Sequence, residues 1–346
     1  MKSARPKTKD RSVAQALADF CVARRVGSIY TVCGGGNGVL YSALAESGIP
    51  FAHVRREDAC VYAAAEDSLD RGRPSVVCVT SGEAVAHAMS AIPSARAEGA
   101  TLLVLSGCSN PSQFGRAAIQ GTDLSTMAND FYRSGPLLDF SRLMVDAREL
   151  PWVLNRLSVG FQRPNGFVAH LALPRELQQA RVPCGAPTSL RVTLPAPSAE
   201  ALEYCGETLG SASFATLVGF GARHAAAEIR RLIELTGTRT LTTPRAKGTV
   251  LDAPCIGLGG TRDYYPRGRP ERLLVLGSRL GEAACGWDAE LLPEREILHV
   301  DLDPSCFGAS FDFPTYGVQA EVLLFLRALL TGLEARASSL PLARRA

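Results

Sequence analysis

The chain has 346 residues, of which 46% are hydrophobic and 21% charged, with a formal net charge of +3. This is the balance of a globular protein of about two domains. It gives no argument for nucleic-acid or membrane binding: the charge is small, basic and aromatic residues are not interleaved, and no stretch approaches the roughly 18 apolar residues of a membrane span.

The first segment, 1–11, is basic with no apolar run behind it. It reads as a disordered lead rather than a secretory signal. Residues 12–25 have helical periodicity in Val13, Leu17, Phe20 and Cys21. Residues 28–44 read as strand, glycine-rich turn (Cys33, Gly34, Gly35, Gly36) and helix. Phe51 to Val54 is a short strand running into a helix with Ala59, Tyr62 and Ala63 at helical spacing. Glu57 stands at that junction, flanked by Arg55, Arg56 and Asp58. An acid in a first helical turn is stabilised by the helix dipole, which is its structural reading. Its functional reading is that ligands of open α/β sheets bind beyond the carboxyl ends of strands, where helices begin. Ser75 to Gly82 is an apolar strand ending in a Thr80-Ser81-Gly82 turn, and Thr101 to Gly107 is another strand. Leu150 to Val159 is a helix with Pro151 in its first turn. Gly166 to Pro174 is a strand in which His170 alternates with apolar neighbours and reads as structural.

The prolines at 183, 187, 195 and 197 mark 182–198 as an extended linker. The second half repeats the pattern. Glu200 to Leu209 and Ala225 to Leu235 are helices. Ala215 to Gly221, Thr238 to Thr243, Arg272 to Gly277 and Glu296 to Asp303 are strands, and Val318 to Leu333 is the final helix. The alternation predicts an α/β fold of two doubly wound parallel-sheet domains, Rossmann- or flavodoxin-like, in three αβα layers. The predicted domains are 12–181 and 199–334, with 335–346 a disordered tail. The Gly219-Phe220-Gly221 turn can cradle a phosphate, or merely let a strand meet a helix tightly. Asp301 and Asp303 lack a third ligand, so no metal site is assigned. Ten scattered cysteines include no Cys-x-x-Cys pair. They fit a reducing cytoplasm.

Four blocks carry a family resemblance: Val32-Cys33-Gly34-Gly35, Arg55-Arg56-Glu57, Thr80-Ser81-Gly82-Glu83-Ala84 and Ile119-Gln120-Gly121-Thr122-Asp123. In order and spacing they resemble the pyrimidine-binding domain of thiamine diphosphate enzymes of the acetolactate synthase type. Lys247-Gly248, Gly277-Ser278-Arg279 and His299 to Pro304 resemble the central domain of the same family, which in some members holds a flavin or adenosine diphosphate.

The resemblance implies roles. Glu57 would contact the cofactor pyrimidine and activate it. Cys33, Gly34, Gly35 and Gly36 would lie near the thiazolium. Thr80, Ser81 and Gly82 would wall the pyrimidine, and Gln120 would reach toward substrate. His87 stands where the family often has asparagine, as an acid-base group or a polar helix residue. Glu83-Ala84 replace the family's Pro-Gly, and Cys33 its proline. The family's third domain carries a Gly-Asp-Gly…Asn motif for magnesium and diphosphate, and no Gly-Asp-Gly occurs in this sequence. The expectation is therefore the larger, α-type subunit of a split enzyme. A separate diphosphate-binding chain would bind magnesium, and two copies of each would form a cytoplasmic heterotetramer. It would decarboxylate a 2-oxo acid and transfer or release the acyl-anion equivalent. The alternatives are a non-catalytic regulatory or structural homologue, and a nucleotide-binding module built on the central domain.

Overall fold

The computed structural model describes residues 9–184 and 190–339. The chain divides into two compact units, Met1–Val192 and Thr193–Ala346.

The first unit contains strands β1 (Lys9–Ser12), β2 (Ile29–Thr31), β3 (Phe51–His53), β4 (Ser75–Val79), β5 (Thr101–Cys108), β6 (Phe140–Leu143), β7 (Phe167–Pro174) and β8 (Arg181–Cys184). Its helices are α1 (Val13–Ala23), α2 (Gly38–Ala45), α3 (Glu57–Arg71), α4 (Glu83–Ala97), α5 (Leu150–Gly160) and α6 (Arg175–Gln179). Six strands form a parallel sheet in the order β3-β2-β4-β5-β7-β6. β4 and β5 are buried on both faces, as a parallel sheet clad in helices requires. Their alternate residues face opposite ways. Val76, Cys78, Leu103 and Leu105 join a core with Leu17 and Phe20 of α1, Leu40 and Leu44 of α2, and Val153 and Leu157 of α5. α3 and α4 pack against each other and against β4. α1 starts at a capping box in which Ser12 and Gln15 satisfy each other's backbone N–H. α3 ends at Gly72, whose φ of +61° is the left-handed cap that glycine adopts freely.

The chain leaves β2 toward β3 on one side and leaves β4 toward β5 on the other. The carboxyl ends of the neighbouring strands β2 and β4 thus flank the switch point of the sheet, where open α/β sheets form a crevice.

The second unit contains β9 (Phe214–Val218), β10 (Arg239–Thr242), β11 (Arg272–Leu276), β12 (Glu296–Asp301) and β13 (Thr315–Gln319). Its helices are α7 (Ala199–Ser211), α8 (Ala226–Thr236), α9 (Glu282–Cys285) and α10 (Val322–Ser339). Its sheet is parallel, in the order β10-β9-β11-β12-β13. α7, α8 and α10 cover one face through Cys205, Leu209, Ile229, Leu232, Phe325 and Leu329. Ile256, Tyr264, Leu280 and Leu291 cover the other, from largely irregular segments. Among the described residues no helix is long and apolar enough to cross a membrane.

Five sequence expectations are corrected. Residues 9–11 of the expected disordered lead form β1, which pairs antiparallel with β8; 182–184 therefore belong to a ribbon and not to the linker. Residues 335–339 of the expected tail continue α10, while 1–8, 185–189 and 340–346 lie outside the described residues. Val318 is in β13, and the last helix begins at Val322. α3 buries Cys60, Val61, Ala64, Ala65, Ser68 and Leu69, leaving Tyr62 half-exposed.

Candidate functional site

The turn after β2 is built by Asn37, which is fully buried. Its carboxamide oxygen accepts from Gly34 N–H at 2.9 Å, and its NH₂ donates to Val32 O at 3.1 Å. Gly36 N–H donates to Thr80 Oγ1 at 3.0 Å, tying the turn to the end of β4. Glycine is required here by close approach. A Cβ on Gly34 would stand 2.6 Å from Thr80 Cβ, and one on Gly36 2.7 Å from Ser81 Oγ, whereas one on Gly35 would meet nothing within 4 Å. The turn therefore lies against Thr80 and Ser81 and is open at Gly35. Cys33 is exposed. Gln178 of α6 donates to Gly36 O at 2.8 Å and to Leu173 O at 2.9 Å, supporting the turn from behind.

The turn after β4 continues through buried Thr80 and Ser81 to Gly82. Gly82 has φ +73°, and a Cβ there would lie 2.8 Å from Gln120 Cβ. Its N–H donates to Thr122 Oγ1 at 2.5 Å, and the Thr122 hydroxyl donates to Gln120 O at 2.7 Å. Gln120 itself adopts a left-handed φ of +51°. Its side-chain NH₂ donates to Glu83 Oε1 at 3.2 Å, across the first turn of α4.

Glu57 is the first residue of α3. Arg56 and Asp58 pair with each other in a two-pronged contact of 3.0 and 2.7 Å, so the flanking charges neutralise one another. The Glu57 side chain is 15% accessible, and its Oε2 lies 3.2 Å from His87 Nδ1 on α4, whose side chain is 62% accessible. No hydrogen bond reaches Glu57 Oε1 among the described residues. One turn along α3, burial first and then the Glu57 charge push the Cys60 thiol up to about 12. The sequence-predicted residues thus fall into two clusters. One holds Gly34, Gly36, Thr80, Ser81, Gly82 and Gln120, and the other holds Glu57, His87 and Glu83. The Gln120–Glu83 bond joins them.

Sequence reasoning missed Asn37, Gln178 and Thr122. Asn37 had a local signal, since asparagine inside a glycine run closes turns through its side chain. Gln178 had none, and Thr122 stood in the block around Gln120 without a role assigned to it. His170 touches none of the site residues: its ring bonds Ser106 Oγ at 2.8 Å and Phe131 O at 2.7 Å.

In the second unit the Gly219 and Gly221 N–H groups are already engaged, donating to Leu276 O at 2.8 Å and Gly277 O at 2.9 Å. Among the described residues one group, His299, Asp301 and Cys306, brings ligand-type atoms within 4.8 Å of one another. Hydrogen bonds already occupy it. His299 Nε2 donates to Ser278 O at 2.7 Å, and the Cys306 thiol donates to Asp303 O at 2.9 Å. Burial, and then the Asp301 charge, push that thiol up to about 12.

The N-terminal TPP binding domain of thiamine pyrophosphate enzymes matches residues 11–127, and the central domain of the same enzymes matches 210–329. A probable chloroplastic acetolactate synthase 2 of Oryza sativa subsp. japonica is 28% identical over 333 residues, 91% of this chain and 48% of its own length. The large subunit of acetolactate synthase isozyme 1 of Escherichia coli K12 is 25% identical over 93% of this chain and 58% of its own length. A probable 2-ketoarginine decarboxylase of Pseudomonas aeruginosa is 26% identical over 97% and 61%. The crystal structure of benzoylformate decarboxylase from Polynucleobacter necessarius superposes with a TM-score of 0.76 at 14% identity, covering 93% of this chain and 61% of that one, which is a likeness of fold. The chain spans about half the length of the curated relatives it matches. By both domain matches and by these relatives, the chain belongs to the thiamine diphosphate-dependent enzyme family of the acetolactate synthase type.

Proposed function

We propose that this chain is the pyrimidine-binding and central-domain subunit of a split thiamine diphosphate enzyme that decarboxylates a 2-oxo acid. One observation carries the reading: a largely buried carboxylate, Glu57, sits at the head of α3 with one oxygen held by His87 and the other, among the described residues, without a hydrogen bond. The residues fit an aminopyrimidine ring. Glu57 Oε1 would accept from a ring nitrogen that carries a proton, Gly35 leaves the turn open to close approach, and Thr80 and Ser81 back that turn.

When bound, thiamine diphosphate supplies the carbon nucleophile and electron sink for cleavage next to a 2-oxo group. Glu57 would accept the ring N–H and hold its proton, an effect strengthened where water is excluded. Gln120, oriented by Glu83 and by its own strained backbone, would present its amide to substrate. Magnesium and the diphosphate would be held by a separate chain carrying a Gly-Asp-Gly…Asn domain of about 150–200 residues. A two-fold heterotetramer follows from the preference for closed symmetry. The nine described free cysteines, seven of them buried, suit a reducing cytoplasm.

The test is co-production with such a chain, followed by carbon dioxide release from a panel of 2-oxo acids with thiamine diphosphate and magnesium. Turnover that Glu57→Gln abolishes while assembly persists supports the proposal. No turnover on any acid, or turnover indifferent to Glu57→Gln, refutes it.

A further inference from the structure

His87 and Glu83 share one face of α4, one helical turn apart. The imidazole meets Glu57 through Nδ1 at 3.2 Å. An ionised carboxylate only accepts, so this contact requires the proton on Nδ1 and leaves Nε2 bare when the ring is neutral. Glu83 stands one turn before His87 on α4. Its carboxylate is held below the usual range first by its own backbone N–H, then by the Gln120 amide, and also by His87. Gln120 donates to Glu83 Oε1 at 3.2 Å. Two hydrogen-bonded pairs, Glu57–His87 and Glu83–Gln120, thus stand one helical turn apart along α4.

We infer that His87 is a positioning residue for Glu57: its Nδ1–H engages Oε2 and fixes the carboxylate rotamer, so that Oε1 alone is presented to a ring N–H donor. This rests on the proposed role of Glu57, but the proton position on His87 does not. A carboxylate free to rotate would offer its two oxygens in many orientations, and only one is productive for a fixed ring; a single hydrogen bond removes that freedom. The ring is specified at Nδ1 alone, so an asparagine amide nitrogen, which sits at the same distance along the side chain, reproduces the donor.

The ¹⁵N-labelled full chain carries five histidines, and His87→Asn identifies the His87 signals by their loss. At about pH 9, where imidazoles are neutral, long-range ¹H–¹⁵N correlation is expected to show His87 protonated on Nδ1. In Glu57→Leu it is expected to revert to the Nε2–H form. An Nε2–H ring in the unsubstituted chain, or an Nδ1–H ring unchanged in Glu57→Leu, overturns the inference and leaves the proposed function standing. In the assembled enzyme, His87→Ala is expected to lower kcat about tenfold with the KM of the 2-oxo acid unchanged, and His87→Asn to recover most of that loss. Full kcat in His87→Ala also overturns it. An assembled enzyme without turnover refutes the proposed function, and the tautomer then decides this inference alone.

Discussion

The buried imidazole of His170 gives the sharpest test of the fold around the site. It lies in β7 and joins three elements. Phe131 O can only accept, so Nδ1–H donates to it at 2.7 Å, and Nε2 accepts from the Ser106 hydroxyl of β5 at 2.8 Å. Ser141 of β6 donates to the same Phe131 carbonyl at 2.7 Å. Both ring nitrogens are hydrogen-bonded in the neutral state, and full burial leaves a second proton's charge without solvation. Burial therefore pulls the His170 pKa down from 6.5 to about 4. A depressed folded pKa means that the unfolded chain binds the proton first, so this contribution is complete above pH 6.5 and is lost as pH falls toward 4. The full loss is about 3 kcal/mol, most of it already gone at pH 4.5. Carboxylates titrate in the same window, so the measurement is a difference. Urea unfolding of the first unit, followed by circular dichroism from pH 8 to 4.5, should show the parent chain losing about 2–3 kcal/mol more than His170→Gln, which cannot titrate. The variant should start lower at pH 8, because it cannot keep both bonds. Parallel pH profiles for the two proteins would refute the argument that this ring is buried and neutral.

Three further substitutions probe the site. Gly82→Ala places a side chain at φ +73° and 2.8 Å from Gln120 Cβ; about 2–3 kcal/mol of stability should be lost, read from the urea midpoint. Asn37→Ala removes the bonds to Gly34 N–H and Val32 O inside a buried turn, at a cost of about 2–3 kcal/mol in thermal melts. Glu57→Gln should leave the melting temperature nearly unchanged, because its single side-chain bond is to a largely exposed histidine. In the assembled enzyme it should reduce carbon dioxide release by about 10²-fold or more.

What the sequence made legible was local. The strands β4 and β5 are continuous apolar runs, and the turns that follow β2 and β4 are marked by glycines that their close neighbours demand. Glu57 was legible because the end of a strand and the start of a helix meet there. What stayed hidden depends on partners far along the chain. Gln178 reaches Gly36 across 142 positions, and nothing near residue 178 announces it. β1 is four polar residues whose partner strand closes the far end of the unit. α3 misled because its many alanines fit more than one helical face, and the burial of Val61 and Leu69 against the sheet chose between them. The His87–Glu57 contact joins two helices, α4 and α3, whose packing no pattern in either segment reports.

The two sheets build their switch points differently. In the second sheet the chain also departs β9 and β11 in opposite directions, and glycines end both strands. There glycine faces glycine: a Cβ on Gly221 would lie 2.9 Å from Gly277 Cα, and the N–H groups of Gly219 and Gly221 are consumed by the neighbouring strand end. In the first sheet Gly34 and Gly36 face Thr80 and Ser81, and Gly36 also meets Gly107 of β5, on which a Cβ would lie 2.5 Å from Gly36 O. The Thr80 hydroxyl takes the Gly36 N–H, so that amide is satisfied by a side chain, while a Cβ on Gly35 would meet nothing within 4 Å. The first switch point thus pairs a turn amide with a side chain, and the second pairs its turn amides with carbonyls of the neighbouring strand end.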